Sequence, residues 1–208
     1  MTTAGTSGRL PRLRDRSGTE GAIVAAAERL LLSGGWSALN VQTVAAEAGV
    51  DRKLVYRYFD GVDGVIDRLA SATEVQLGAA MAKAPPSEAV TYRAFAREML
   101  TAYVAALRDQ PLLLRLLAWE LTEDTPLLRR LEARRSDVVQ AWVRDRRPRL
   151  RESPQGDVVA MTGVLLAAIQ HLCLASAARG RFAGIVLDDA GWARIDATID
   201  RLVAAWPD

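Results

Sequence analysis

Within the seven residues 52–58, Arg52, Lys53, Tyr56, Arg57 and Tyr58 bring together cationic and hydroxyl hydrogen-bond donors. Arginine and lysine pair well with the O6 and N7 edge of guanine, whereas tyrosine hydroxyls and additional positive charge suit phosphate and sugar oxygens. Such a cluster recognises a polyanion; it does not break bonds. The remaining reactive side chains are few. His171 and Cys173 lie two positions apart, so on a helix they face different sides and form no nucleophile–base pair. Neither has companion ligands at metal-binding spacing. Cys173 is the sole cysteine, which excludes an intrachain disulfide and makes a reduced, cytoplasmic setting the expectation. No phosphate-cradling glycine loop follows a strand, and no strand is evident. The residues therefore argue against an enzyme, a metal site or a cofactor; a helical enzyme is the remote alternative.

The donor cluster needs a rigid element to aim it, and the stretch 40–59, NVQTVAAEAGVDRKLVYRYF, reads as two short helices joined by a glycine turn. Val41, Val44, Ala45 and Ala48 recur at helical spacing, and Gly49 supplies the left-handed residue that ends a helix. Val50 follows as a buried anchor. Asp51 caps a second helix in which Val55 and Phe59 share one face while Arg52, Tyr56, Lys53 and Arg57 form rows on another. Asn40 stands at the cap of the first helix, beside Gln42 and Thr43, where it can both close the helix end and reach a phosphate. Bracing one helix with another so that N-terminal side chains enter the major groove is the helix-turn-helix arrangement.

The run AAEAGVDRKLVYRYFDGVDGVI resembles the TetR family of transcriptional regulators, with Ala-Gly-Val at the turn and an aromatic Tyr-x-Tyr-Phe ending to the second helix. The resemblance is specific over residues 19–69 and architectural afterwards. It extends to the preceding helix, where Ala22, Ile23, Ala26, Ala27, Leu30 and Trp36 match the family pattern. It implies DNA contacts from Asn40, Gln42, Thr43, Arg52, Lys53, Leu54, Tyr56, Arg57 and Tyr58, with Leu54 in place of the family's usual threonine and able to meet a thymine methyl. One junction departs from the pattern: Gly61, Val62, Asp63 and Gly64 stand where a polar residue, a lysine and an acidic residue are usual. The lysine's phosphate contact is then missing, and two glycines loosen the first turn of the next helix at ~1 kcal/mol each against alanine. Backbone N–H groups at that helix start remain available to a phosphate.

The rest of the chain presents these parts. Its 208 residues are half apolar and one quarter charged, with a formal net charge of +2. Such mild basicity excludes a sequence-indifferent nucleic-acid coat and makes any DNA contact local. Residues 1–16 read as a flexible arm carrying Arg9, Arg12, Arg14 and Arg16, solvated or touching the minor groove. Ser17 and Glu20 have capping-box spacing ahead of a first helix that ends at Gly34-Gly35, after which Trp36 and Leu39 plug the bundle. Residues 17–69 make the DNA-binding unit, with Asp60 as the cap of a fourth helix from near Val62 to about Met81.

Residues 70–208 form a second helical unit, punctuated by Ala84-Pro85-Pro86-Ser87, Pro111 and Asp124-Thr125-Pro126. Arg144, Arg146, Arg147, Arg149 and Arg151 crowd a connection near Pro148 and Pro154 that reads as a solvated loop. Residues 158–178 carry no charge over a length that could span a bilayer, yet polar residues and arginine on both flanks favour a buried helix over a membrane segment. A last helix covers about 188–206. Aromatic, Met and sparse polar side chains in this unit are candidate linings for a small apolar or amphipathic effector: Phe95, Met99, Tyr103, Trp119, Trp142, Met161, Gln170 and His171. The alternative for each is ordinary core. Val164, Ala168, Leu172, Ala175, Ile195, Ile199 and Leu202 are the candidate dimer interface of a four-helix bundle.

The expectation is thus an all-α chain: a three-helix DNA-binding bundle with a helix-turn-helix, and a helical effector-binding and dimerisation unit. The resemblance implies a homodimeric repressor on a palindromic double-stranded operator. A protein with a fully packed second unit and no effector is the competing reading.

Overall fold

The computed structural model describes residues 11–84, 89–146 and 157–206. The chain is helical and divides into two compact units, residues 1–71 and 72–208.

In the first unit, α1 (Pro11–Gly34) leads through a 3-10 turn (Trp36–Ala38) to α2 (Val41–Ala48), α3 (Arg52–Phe59) and the start of α4 (Val62–Ala82). Ile23, Ala26, Ala27 and Leu31 of α1 are buried with Val44, Ala45 and Val55, and Val65, Ile66 and Leu69 of α4 are buried too. Helix α1 begins earlier than the Ser17 capping box implied. Ser17 lies inside it, and Glu20 accepts from Arg16 at 2.8 Å instead of closing the box. Proline is favoured at a first helical position, and Pro11 takes it. The arm's residues 1–10, including Arg9, lie outside the described residues.

At the α3–α4 junction two expectations are corrected. Asp60 adopts φ 58° and closes α3 as its left-handed C-cap, its N–H donating to the Tyr56 carbonyl. Gly64 does not loosen α4. A Cβ there would stand 1.8 Å from the Phe59 carbonyl oxygen, so the glycine is what lets the first turn of α4 touch the end of α3.

The second unit contains the remainder of α4, then α5 (Tyr92–Arg108), α6 (Pro111–Glu120), α7 (Pro126–Arg146), α8 (Val158–Arg179) and α9 (Asp189–Ala204). Phe95, Met99, Leu100, Tyr103 and Leu107 of α5 form the central stripe of its core, against Leu113 and Leu117 of α6, Ile169 and Cys173 of α8, and Trp192, Ile195 and Ile199 of α9. Charged clamps fix the outer edges. Arg97 holds Asp196 at 2.8 Å and also Asp200, tying α5 to α9, and Arg135 grips Glu120 through two bonds of 2.6 and 2.5 Å, tying α7 to α6.

Two features were not expected. A short antiparallel hairpin, β1 (Arg181–Phe182) and β2 (Ile185–Val186), joins α8 to α9. Its Val186 carbonyl sits where a Cβ on Gly191 would be, 1.8 Å away, so the hairpin packs directly on the start of α9. Helix α8 is also not enclosed. It is long and apolar enough to cross a bilayer by composition, and only 17% of its most apolar window is buried inside the subunit, with Val164 69% exposed.

Candidate nucleic-acid interface and cavity

Local chemistry shapes the helix-turn-helix. Asn40 Oδ1 accepts from the N–H groups of Gln42 and Thr43, both at 3.0 Å, and Thr43 Oγ1 returns a bond from the Asn40 N–H at 3.1 Å. This reciprocal box fixes the start of α2. Gly49 ends the helix at φ 67°, and Asp51 then accepts from the Lys53 N–H at 2.8 Å to start α3. Val50 is only half-buried, so the turn rests on these caps more than on an apolar anchor. A further tie, Arg29 Nε to Glu47 at 2.7 Å, pins α2 to α1.

On this frame Val55 points into the core with no exposure, while Arg52, Lys53, Tyr56 and Arg57 lie exposed on the opposite side, Tyr56 at 57%. Four donor side chains thus share one solvent-facing surface of α3. Leu54 and Tyr58 are half-buried at its margins, and Asn40 and Gln42 stand exposed at the α2 N-terminus. Thr43 is different: its hydroxyl donates to the Ala38 carbonyl at 2.6 Å as well as serving the box, so it positions α2 and is not free for DNA. Asn40 commits its side-chain carbonyl oxygen to the cap.

Sequence reasoning missed Arg16 as part of this surface by placing it in the arm. Its guanidinium lies 5.4 Å from the centre of the Tyr58 ring, with Arg57 at 5.8 Å from the same ring. Glu20, hydrogen-bonded to Arg16, raises the pKa of that already charged group. The available signal was the Arg16/Glu20 spacing of four along a helix.

The candidate effector residues separate into four groups. Tyr103, Gln170 and His171 line an open cavity of about 550 Å³ in the second unit. Trp142 borders a second one of about 430 Å³, its indole N–H donating to the Met81 carbonyl at 3.0 Å. Phe95 and Met99 belong to the buried core, and Trp119 and Met161 are half-buried outside both linings. In the larger of these two, Leu121, Val139, Leu166 and Leu174 provide apolar surface, and the buried Tyr103 hydroxyl donates to Gln170 Oε1 at 3.1 Å. Burial raises the Tyr103 pKa, keeping its proton in place. Next to it, burial pushes the Cys173 thiol up to about 11, which disfavours the nucleophilic thiolate. His171 packs edge-on against Phe182 at 4.8 Å.

The candidate dimer residues also divide. Ala175, Ile195 and Ile199 are buried at 2, 8 and 5% exposure and serve the subunit's own core. Val164, Ala168 and Leu202 remain exposed, with Leu172 half-buried. Arg144 and Arg146 end α7, Arg146 with its guanidinium 4.0 Å from the Trp142 ring; Arg147, Arg149 and Arg151 lie outside the described residues.

Residues 23–69 match the family model described as bacterial regulatory proteins, tetR family. No curated protein matches the chain. Among solved structures, the chain is similar to a TetR family transcription regulator from Marinobacter aquaeolei VT8, at 20% identity and a TM-score of 0.60 over 95% of this chain and 99% of that one. A protein of unknown function from Rhodococcus sp. RHA1 aligns at 21% identity and a TM-score of 0.63, covering 91% and 96% of the two chains. The fatty acid degradation regulator FadR from Bacillus halodurans aligns at 13% identity and a TM-score of 0.57, covering 97% of each. With the helix-turn-helix built as above, this chain has the N-terminal DNA-binding domain and the all-helical fold of the TetR family of bacterial transcription regulators.

Proposed function

We propose that the protein is a homodimeric repressor that binds a palindromic operator through α3 and is released by a small-molecule effector held in the second unit. The observation that carries the DNA reading is the surface of α3, where Arg52, Lys53, Tyr56 and Arg57 are exposed while Val55 anchors the opposite face. Arg52 and Lys53, in the first turn, read guanine edges; Tyr56, Arg57, Tyr58 and Asn40 hold the backbone, with Gln42 beside them and Leu54 against a thymine methyl. With the chain's net charge only +2, one head binds modestly, and pairing two heads on one duplex supplies the affinity.

The exposed apolar stripe of α8 through Val164 and Ala168, with Leu202 of α9, is the surface that a second copy covers. The cavity of about 550 Å³ favours an effector-responsive protein over one with a solid second unit. Release requires the effector to bind the DNA-incompetent arrangement of the dimer more tightly; equal binding to both would shift nothing.

A duplex carrying the palindrome from the DNA adjoining the gene tests this reading by fluorescence anisotropy. The expected result is two subunits per palindrome and a strong loss on halving the site. Equal affinity for the palindrome and for scrambled DNA would overturn it.

A further inference from the structure

The charged and polar side chains in the wall of the cavity of about 550 Å³ bear on what it takes. Arg135 is the guanidinium in its lining, and both terminal nitrogens of that group are held by Glu120 at 2.6 and 2.5 Å. The pair is well shielded, each side chain only 13% exposed. Glu132, also in the lining, carries a second carboxylate. Carboxylates therefore exceed guanidinium in and directly behind this wall, and the one guanidinium is already paired. An anionic headgroup entering here meets no free guanidinium and an extra like charge, with His171 the remaining basic side chain of the lining.

The uncommitted polar capacity is of another kind. A tyrosine hydroxyl has one proton, and a glutamine amide has two on nitrogen. Tyr103 donates to Gln170 Oε1, which leaves both Gln170 amide hydrogens without a protein partner among the described residues. Turning the amide over changes the donors but not the surplus: Gln170 then donates to the Tyr103 oxygen, and the phenol proton and one amide hydrogen are left. In either arrangement this pair presents hydrogen-bond donors and asks for an acceptor.

We propose that the cavity takes an uncharged amphiphile: a hydrocarbon body with a single carbonyl-type acceptor, the acceptor seated on Tyr103 and Gln170 and the body lying along Leu121, Val139, Leu166 and Leu174. This rests on the reading of the cavity as an effector site, and it makes the Glu120–Arg135 pair a positioning and charge-screening element that excludes carboxylates. It gives the effector a class different from a free fatty acid, although one similar structure belongs to a fatty acid degradation regulator.

Isothermal titration of the full-length protein with 2-nonanone, nonanoate and octyltrimethylammonium, each below micelle formation, tests the class. The ketone is expected to bind at least tenfold more tightly than either ion. Gln170→Leu is expected to lose at least tenfold for the ketone. Glu120→Gln, which releases Arg135, is expected to raise nonanoate affinity at least tenfold and to leave the ketone within threefold. Glu132→Gln, on an exposed side chain, is expected to raise nonanoate affinity severalfold and keeps the test available if Glu120→Gln loses helical structure. Nonanoate or the cation binding the wild-type protein as tightly as the ketone would overturn the class while leaving the effector reading intact, as would unchanged ketone affinity in Gln170→Leu. Failure of all three probes on the wild-type protein and every variant would remove the class and the effector reading together.

Discussion

Gly64→Ala is a test of how the recognition helix is held. On helix propensity alone the change should help, because alanine is favoured over glycine inside a helix by about 1 kcal/mol. The structure reverses that sign. The new Cβ would stand 1.8 Å from the carbonyl oxygen and 2.8 Å from the carbonyl carbon of Phe59, the last residue of α3. Both atoms are backbone, so no side-chain rotation relieves the contact, and α4 must move by about an ångström against α3. Overpacking of this kind costs ~1 to 3 kcal/mol even where side chains share the strain. A net loss of up to about 2 kcal/mol is therefore expected after the propensity gain. Urea unfolding followed by circular dichroism measures it, and operator affinity should fall as well, since the displaced segment ends the reading helix. Gly21→Ala is the internal control: Gly21 is in α1 and a Cβ there meets nothing within 4 Å, so it should be neutral or stabilising by up to ~1 kcal/mol. If Gly64→Ala were as stable as Gly21→Ala, the close approach of α3 and α4 would be wrong.

Three other perturbations probe separate parts of the account. Asn40→Ala removes the side chain that accepts from Gln42 and Thr43 and should cost ~1 kcal/mol of stability together with operator affinity; Asn40→Asp, which keeps the cap, should retain the stability. Cys173 has a folded pKa raised by burial from an ordinary 9.0 to about 11, so its contribution is complete below pH 9 and is lost as pH rises through 11. Two units correspond to about 3 kcal/mol, and the stability gap between the wild-type protein and Cys173→Ala should narrow by up to about that amount over this window; a constant gap would contradict the burial. Val164→Glu places a charge on the exposed face of α8 and should yield monomers in analytical ultracentrifugation with helical content unchanged, whereas an intact dimer would move the interface elsewhere.

What was legible in the sequence was mostly local. Asn40, Gly49 and Asp51 announce the boundaries of α2 and α3 because capping chemistry acts over two or three residues. The donor rows of α3 follow from helical periodicity once those boundaries are set. What escaped depends on approach through space. Gly64 resembles a helix-weakening glycine until the Phe59 carbonyl is seen beside it. Asp60 can cap either neighbouring helix by type, and only its left-handed backbone assigns it to α3. Ile195 and Ile199 form an apolar stripe that periodicity cannot allot to a core or an interface; packing on α5 decides it. The pairing of Tyr103 with Gln170 spans 67 positions, beyond any spacing rule. The hairpin was missed because its strands are two residues long, although Gly180 just before β1 and Gly184 in the turn between the strands are both at positive φ.

On the proposed function, α3 reads base edges with Arg52 and grips the backbone with Tyr56. The direct measurement is fluorescence anisotropy of the wild-type protein, Arg52→Ala and Tyr56→Phe on the operator and on a series of single-base variants of it, at one fixed salt concentration. Arg52→Ala should lose ~1 to 3 kcal/mol on the operator and cease to discriminate at one base position, while Tyr56→Phe weakens all sequences alike. Equal loss on every sequence for Arg52→Ala, or none at all, would contradict the assignment of base reading to this helix.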